Sequence, residues 1–596
     1  MWNTQICDKS YRDVYAESLM FDSTMRRRNE MRRRNEMRCF SNRKAGWGGA
    51  IILFQAVIGH LIALGGIQNE RLPNILLIMS DDQNLDTVAC YNRNPHAVSP
   101  SIDRLAEEGV LFEQAFANAP QCATSRLSII SGKYCHHNGM YNFDKSHDDT
   151  PFYKPALPSV LFDEKGYWKG LVGKGHIYCL LKDRYENGVR KYDLWDSTLG
   201  KSRNAPDRDF YIYSKDENGK VHIESNVAPP PEEDAKYGIL RPYTFRHPTE
   251  RTIIVAGTSD RPRGSMMEDF ILKDFRSMLA RRLREQGDGR PNFIDLSFTF
   301  PHTPILPPED LVEKFEKIAF DIPELSQKER ESIRTQDPQM WNLIQQLDSY
   351  DMKPEEKLKV LQHYYAYCAF GDEYVGKAVD DFKLFCEKQN RPWMIIFTSD
   401  QGWHLHEHGL LGKFTMYDES VRVPLVIVSS DKQAFPPGTR YDGMVELVDL
   451  APTILQFAGI DPRKHADNFD GVPLQDLMSG RHPPKDHILC ETGHVFGHWG
   501  LYRTKEWAFS MKTRPKDLVY GEDMDWAKRQ PAEELDMMLF NLKNDPEQKN
   551  NLAYHPEYKQ IRDDFRKKLE SDVLGSDRVE YDWKKHPFDK KKWWGK

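Results

Sequence analysis

Short apolar runs of strand length, separated by helix-forming stretches, set the limits on how this chain folds. NILLIMS at 74–80, VLFEQAF at 110–116, Leu171-Val172, FIDLSFT at 293–299, WMIIFT at 393–398 and PLVIV at 424–428 read as strands. Residues 101–108 and 355–385 read as helices, the second with an amphipathic period. Such alternation predicts an α/β fold, a large and mostly parallel central sheet flanked by helices. Sheets of this kind gather ligands at the carboxyl ends of their strands. Asp81-Asp82, His302 and Asp400-Gln401 all stand at such ends.

Two segments read as insertions on that scaffold. Residues 209–234 contain FYIYSKDENGKVHIES, a hairpin pattern with Asn218-Gly219 at the turn, and residues 321–360 are charged and helix-prone. Past residue 480 the pattern changes to short strands, HILCET, GLYRT and EWAFSMK, ahead of MLFNLKNDPEQKNNL. The expected division is one large domain over 71–480 and a small antiparallel C-terminal subdomain over 481–596.

Charge is unevenly spread. Residues 1–70 carry 11 basic and 7 acidic side chains, although the whole chain stands at −7. From Met37 a basic stretch leads into AIILFQAVIGHLIALGG at 50–66, with small residues at Ala63 and Gly65. That is the anatomy of a secretory signal peptide over 37–66. The alternative is a transmembrane anchor, but a span needs about 20 apolar residues, and this run is shorter and holds Gln55 and His60. Residues 1–36, where MRRRNE occurs twice, are then an upstream extension without structural meaning. The expected location is secreted or periplasmic, with no stable membrane association after signal cleavage.

The 83 basic residues against 90 acidic ones argue against a general nucleic-acid binder, whose affinity comes from clustered Lys and Arg neutralising phosphates. Past the leader there are seven cysteines, Cys90, Cys122, Cys135, Cys179, Cys368, Cys386 and Cys490. An odd number leaves at least one thiol unpaired, modified or reactive in an oxidising compartment.

Asp81, Asp82, Asp400 and Gln401 offer hard oxygen donors, which suit Ca²⁺ or Mg²⁺ better than zinc. Singly, each aspartate would read as a helix cap or turn residue. QCATSRLSIISGK at 121–133 sets Cys122 beside a helix start with Ser125 and Arg126 close behind. That setting lowers a thiol pKa and makes a reactive site; the alternative is a buried core cysteine, and the odd count and Arg126 favour the first. GKGH places Lys174 and His176 just after a strand, SFTFPHTP places His302 at another, and Lys413 lies in GLLGKFTMYDES. His404, His406 and His408 would share one face of an extended segment, as a zinc site requires, although the oxygen donors already account for this locus. HYYAY at 363–367 reads as a core helix, and the basic tail at 584–596 as a solvated end.

Taken in order, NILLIMSDDQ, CATSRLSIISGKY with HHNGMYN, GKGH, SFTFPHTP, TSDQGW with EHG and GK, VRVPLVI and LFNLKNDPEQKNNLA resemble the type I sulfatases of the alkaline-phosphatase superfamily. The stretch 398–413 most resembles the iduronate-2-sulfatase-like branch. The resemblance implies an exported enzyme that hydrolyses sulfate esters of a sulfated carbohydrate. It further implies that a formylglycine-generating enzyme oxidises Cys122 to formylglycine. One hydroxyl of the hydrated aldehyde attacks sulfur and expels the alcohol; the second, once deprotonated, expels sulfate. By the same resemblance His176 assists that elimination, and Lys174 and Arg126 steady the diol. Asp81, Asp82, Asp400 and Gln401 hold Ca²⁺, or Mg²⁺, next to the oxidised Cys122. His302 and Lys413 bind the ester, and one of them protonates the leaving oxygen. Removing Cys122 from the cysteine count leaves six that could pair.

Three positions depart from the family pattern. Thr124 stands where Pro or Ala is usual, which bears on maturation; Gln401 replaces Asn and adds a methylene; His406 replaces Gly. A phosphonate or phosphodiester hydrolase on the same scaffold, and a glycan-binding module without catalysis, are the competing readings.

Overall fold

The computed structural model describes residues 71–141, 157–175, 194–196, 211–215, 221–225, 239–246, 252–284, 289–347, 352–493, 497–515 and 525–579. The leader, His176, Cys179, the Asn218-Gly219 turn and the basic tail lie outside the described residues.

The central sheet is built from the apolar runs. Its middle is four parallel strands in the spatial order Trp393–Ser399, Asn74–Asp81, Asn292–Pro301 and Trp168–Gly173, with Leu194–Asp196 extending the row. Successive side chains of Asn74–Asp81 point to opposite faces, and both faces are covered. Ile75, Leu77 and Met79 enter one core with Leu127, Ile130, Leu161 and Ile454. Leu76 and Ile78 enter the other with Phe275, Tyr364, Val375 and Phe382. A run that is apolar at every position is what two buried faces require.

The sheet is mixed rather than parallel throughout. Leu425–Ser429 pairs antiparallel with Trp393–Ser399 and with Val110–Phe116, and Arg422–Val423 also pairs antiparallel with Val110–Phe116. Thr439–Glu446 restores parallel pairing on that strand. The strands at 110–116 and 424–428 are read in the sequence, but not their antiparallel direction, which depends on where a connection returns and not on the residues of the strand itself.

Helices Pro100–Glu108, Met267–Arg284 and Pro354–Gln389 cover one face, and Cys122–Ser131, Leu157–Lys165 and Leu450–Phe457 the other. The 209–234 hairpin is present as Tyr211–Lys215 and Val221–Ser225, and two further strands, Ile239–Arg246 and Thr252–Ser259, complete a four-stranded sheet. Ile488–Thr492, His498–Arg503, Trp507–Arg514 and Met538–Asn541 form a separate antiparallel sheet. Against it helix Lys559–Asp572 buries Phe565 and Leu569.

Among the described residues no disulfide is formed: Cys90, Cys122, Cys135, Cys368, Cys386 and Cys490 are all free. The pairing allowed by the count is therefore not made by these side chains. Cys368 and Cys386, for example, lie buried on the same long helix.

That helix reaches the site through a close contact. A Cβ on Gly371 would sit 2.2 Å from the ring of Phe300, which is fully buried just before Pro301 and His302. In an exposed helix Gly→Ala gains about 1 kcal/mol; here the overlap reverses the sign. Gly371→Ala is expected to destabilise the protein by about 1–3 kcal/mol, measured by urea unfolding.

Candidate active site

Register brings the polar strand ends together. Ser80 pairs with Ser399, so Asp81-Asp82 and Asp400-Gln401 emerge side by side. The next strands on the other side deliver His302 and then Lys174. Gly173 permits this last approach: its φ is +85°, and a Cβ there would lie 1.9 Å from the Ser297 carbonyl oxygen. Cys122 and Arg126 come from the helix after Val110–Phe116, and Lys413 follows the small Leu411–Gly412 strand.

Cys122, 1% exposed, sits at the centre. Its Sγ is 2.9 Å from Lys413 Nζ, 3.2 Å from Gln401 Nε2, 3.4 Å from Asp81 Oδ1, 3.8 Å from Asp82 Oδ1 and 3.9 Å from Lys174 Nζ. Lys174 also donates to Asp81, and Lys413 to Asp82 at 2.6 Å. Arg126 donates from Nε to Asp400 Oδ2 at 2.7 Å, and from Nη1 to the Lys174 carbonyl at 2.9 Å and Ser297 Oγ at 3.0 Å. His302 Nε2 lies 3.7 Å from Asp82 Oδ2. Nine of the ten residues singled out from the sequence thus converge; His176 is outside the described residues.

The charges explain the titration behaviour. Burial opposes ionisation of Asp81, yet Lys174, His302, Arg126 and Lys413 hold its carboxyl well below the usual range. Burial, then Asp81, push the Cys122 thiol up against Lys174 and Lys413. The expectation of a lowered thiol pKa is therefore corrected. Arg126 is spent on Asp400 and the thiol has lost its water, so the environment favours the neutral form.

The donor set fits a hard divalent cation. Ligand atoms of Asp81, Asp82 and Asp400 lie within 4.8 Å of one another, all fully buried. Asp82 Oδ2 and Gln401 Oε1 are buried without a hydrogen-bond partner, which is the condition a cation relieves. The zinc alternative has no such geometry. His406 and His408 take left-handed backbone, φ 79° and 56°, so the segment is not extended. His404 Nε2 is instead 2.8 Å from Thr415 Oγ1.

Three supporting groups were not visible in the sequence. Tyr364, in the HYYAY helix expected to be core and buried as such, donates its hydroxyl to the Asp82 carbonyl and accepts from Asn84 N at 2.9 Å. It thereby fixes the loop in which Asp82 takes a φ of 66°. Asp295 and Ser297 lie behind Arg126 in the FIDLSFT strand, where their polarity inside an apolar run was the available signal.

Residues 73–460 match the sulfatase family, and residues 406–573 match the C-terminal family of N-sulphoglucosamine sulphohydrolase. The chain belongs to the sulfatase family. An arylsulfatase of Clostridium perfringens is 26% identical over 520 residues, 84% of this chain and 95% of the relative. The iduronate 2-sulfatase of Mus musculus is 25% identical over 496 residues, 75% and 79% of the two chains. In fold, the phosphonate monoester hydrolase of Silicibacter pomeroyi superposes with a TM-score of 0.60 at 17% identity, covering 85% of this sulfatase and 96% of that chain. The protein is accordingly a sulfuric ester hydrolase of the alkaline-phosphatase superfamily.

Tyr364→Phe strands Asn84 N and the Asp82 carbonyl together. The expected loss is about 1–3 kcal/mol of stability, read by thermal unfolding.

Proposed function

We propose that this sulfatase is exported and removes sulfate from a sulfated carbohydrate, with Cys122, matured to formylglycine, as its reacting residue. The observation that carries this is the packing of Cys122 against two lysines and two buried carboxylates within 4 Å. The relative named for iduronate, a sugar acid, supports the carbohydrate. Export rests on the 37–66 leader, and among the described residues no helix is long and apolar enough to cross a membrane.

Formylglycine at position 122 would supply the paired hydroxyls of a hydrated aldehyde, and a Ca²⁺ or Mg²⁺ held by Asp81, Asp82, Asp400 and Gln401 would supply charge to the sulfate oxygens. The chain's own residues do the rest. Lys174 and Lys413 bring two ammonium groups within 4 Å of residue 122, where they can bind anionic charge. Arg126 holds Asp400 in place. The 2.6 Å contact of His302 Nδ1 with the Thr303 carbonyl makes Nδ1 the donor there and turns Nε2 toward Asp82. In its protonated form His302 is the proposed acid for the leaving oxygen.

Peptide mass spectrometry across residue 122, after co-expression with a formylglycine-generating enzyme, is expected to show the aldehyde. A thiol alone would sink the maturation reading. Cys122→Ala is expected to abolish aryl sulfate hydrolysis while leaving the fold intact. Turnover of aryl phosphonate in preference to aryl sulfate would favour the phosphonate hydrolase reading. EDTA is expected to inactivate the enzyme and Ca²⁺ to restore it; activity that survives prolonged chelation counts against the cation.

A further inference from the structure

Behind Arg126 lies a buried polar relay that the chemistry above does not use. Asp295 and Ser297 are two apart on the Asn292–Pro301 strand and so share a face. Both are buried in the middle of the sheet. Ser297 Oγ donates to Asp295 Oδ1 at 3.1 Å and accepts from Arg126 Nη1 at 3.0 Å. A serine hydroxyl is a rotor that can donate or accept. With its proton committed to Asp295, its lone pair is left for the guanidinium.

A guanidinium is planar, so two anchored nitrogens determine where the third points. In Arg126, Nε is held by Asp400 and Nη1 by Ser297 and the Lys174 carbonyl. Nη2 is left buried without a hydrogen-bond partner, 3.9 Å from Asp81 Oδ1. It is the one guanidinium nitrogen of Arg126 without a hydrogen bond, and it lies against the cluster.

We propose that Asp295 and Ser297 are positioning residues for sulfate-ester hydrolysis: Asp295 sets the Ser297 hydroxyl, and Ser297 aims Arg126 Nη2 at the anion bound beside residue 122. This rests on the proposed function and adds the determinant of how Arg126 is oriented. Burial of a carboxylate is costly unless it is hydrogen-bonded or paired, a condition Asp295 meets through Ser297, whereas an apolar residue at 295 would continue the run it interrupts.

The test uses the matured, cation-loaded enzyme with Ser297→Ala, Asp295→Leu, the double variant and Ser297→Thr. Each single variant is expected to lower kcat on aryl sulfate by roughly 10- to 100-fold, with a smaller change in KM. The double variant should lose no more than the worse single one, because the two act as a unit. Ser297→Thr, which keeps the hydroxyl, should recover most of kcat. Asp295→Leu is expected to unfold no more readily than wild type, so a drop in kcat there is not a loss of fold. Unaltered kcat in both single variants, or losses that multiply in the double variant, would overturn the relay. A wild-type enzyme that does not turn over aryl sulfate would instead strike the proposed function. The relay would then be judged on crystal structures of wild type and Ser297→Ala, and it fails if the Arg126 guanidinium lies the same way in both.

Discussion

Three carboxylates crowded within 4.8 Å inside a protein repel one another and have lost their water. The organisation around them answers that cost. Two lysines and an arginine reach in from three separate elements, a strand end, a hairpin and a helix, and each neutralises a different member of the trio. Two oxygens still without a hydrogen-bond partner, Asp82 Oδ2 and Gln401 Oε1, mark where further positive charge belongs. Cys122 sits where these opposing charges meet, at the first residue of a helix that is buried along its whole length.

How the trio forms is a matter of register. Parallel pairing of Asn74–Asp81 with Trp393–Ser399 places residues 318 apart in sequence on neighbouring strand ends. A shift of one residue would turn every side chain of a strand to the opposite face. The apolar residues on both faces of these strands therefore hold the carboxylates in place as firmly as any polar contact does.

Much of this was legible in the sequence, because an apolar run that ends in polar or charged residues is a local pattern. Asp81, Asp82, Asp400, His302 and Lys174 could be read in that way. What could not be read depends on the third dimension. The direction of Leu425–Ser429 follows from its connection. The rise in the Cys122 thiol pKa follows from burial, where the adjacent Arg126 had suggested the opposite. The left-handed backbone at His406 and His408 broke a face that an extended chain would have made. Tyr364 serves Asp82 from a helix nearly 300 residues away, and no spacing rule links the two.

The long helix that carries Tyr364 also touches the opposite end of the same strand. Asn74, which opens Asn74–Asp81, donates to Gln389, the last residue of the helix, at 2.8 Å, and Tyr364 holds the loop just past the strand's other end. Helix and strand are thus fastened to each other at two points and act as matched rulers. Adding or deleting one residue between Tyr364 and Gln389 would turn the tyrosine by about 100° and slide it by about 1.5 Å. The interval between these two residues is thus a fixed length, set by the strand it spans.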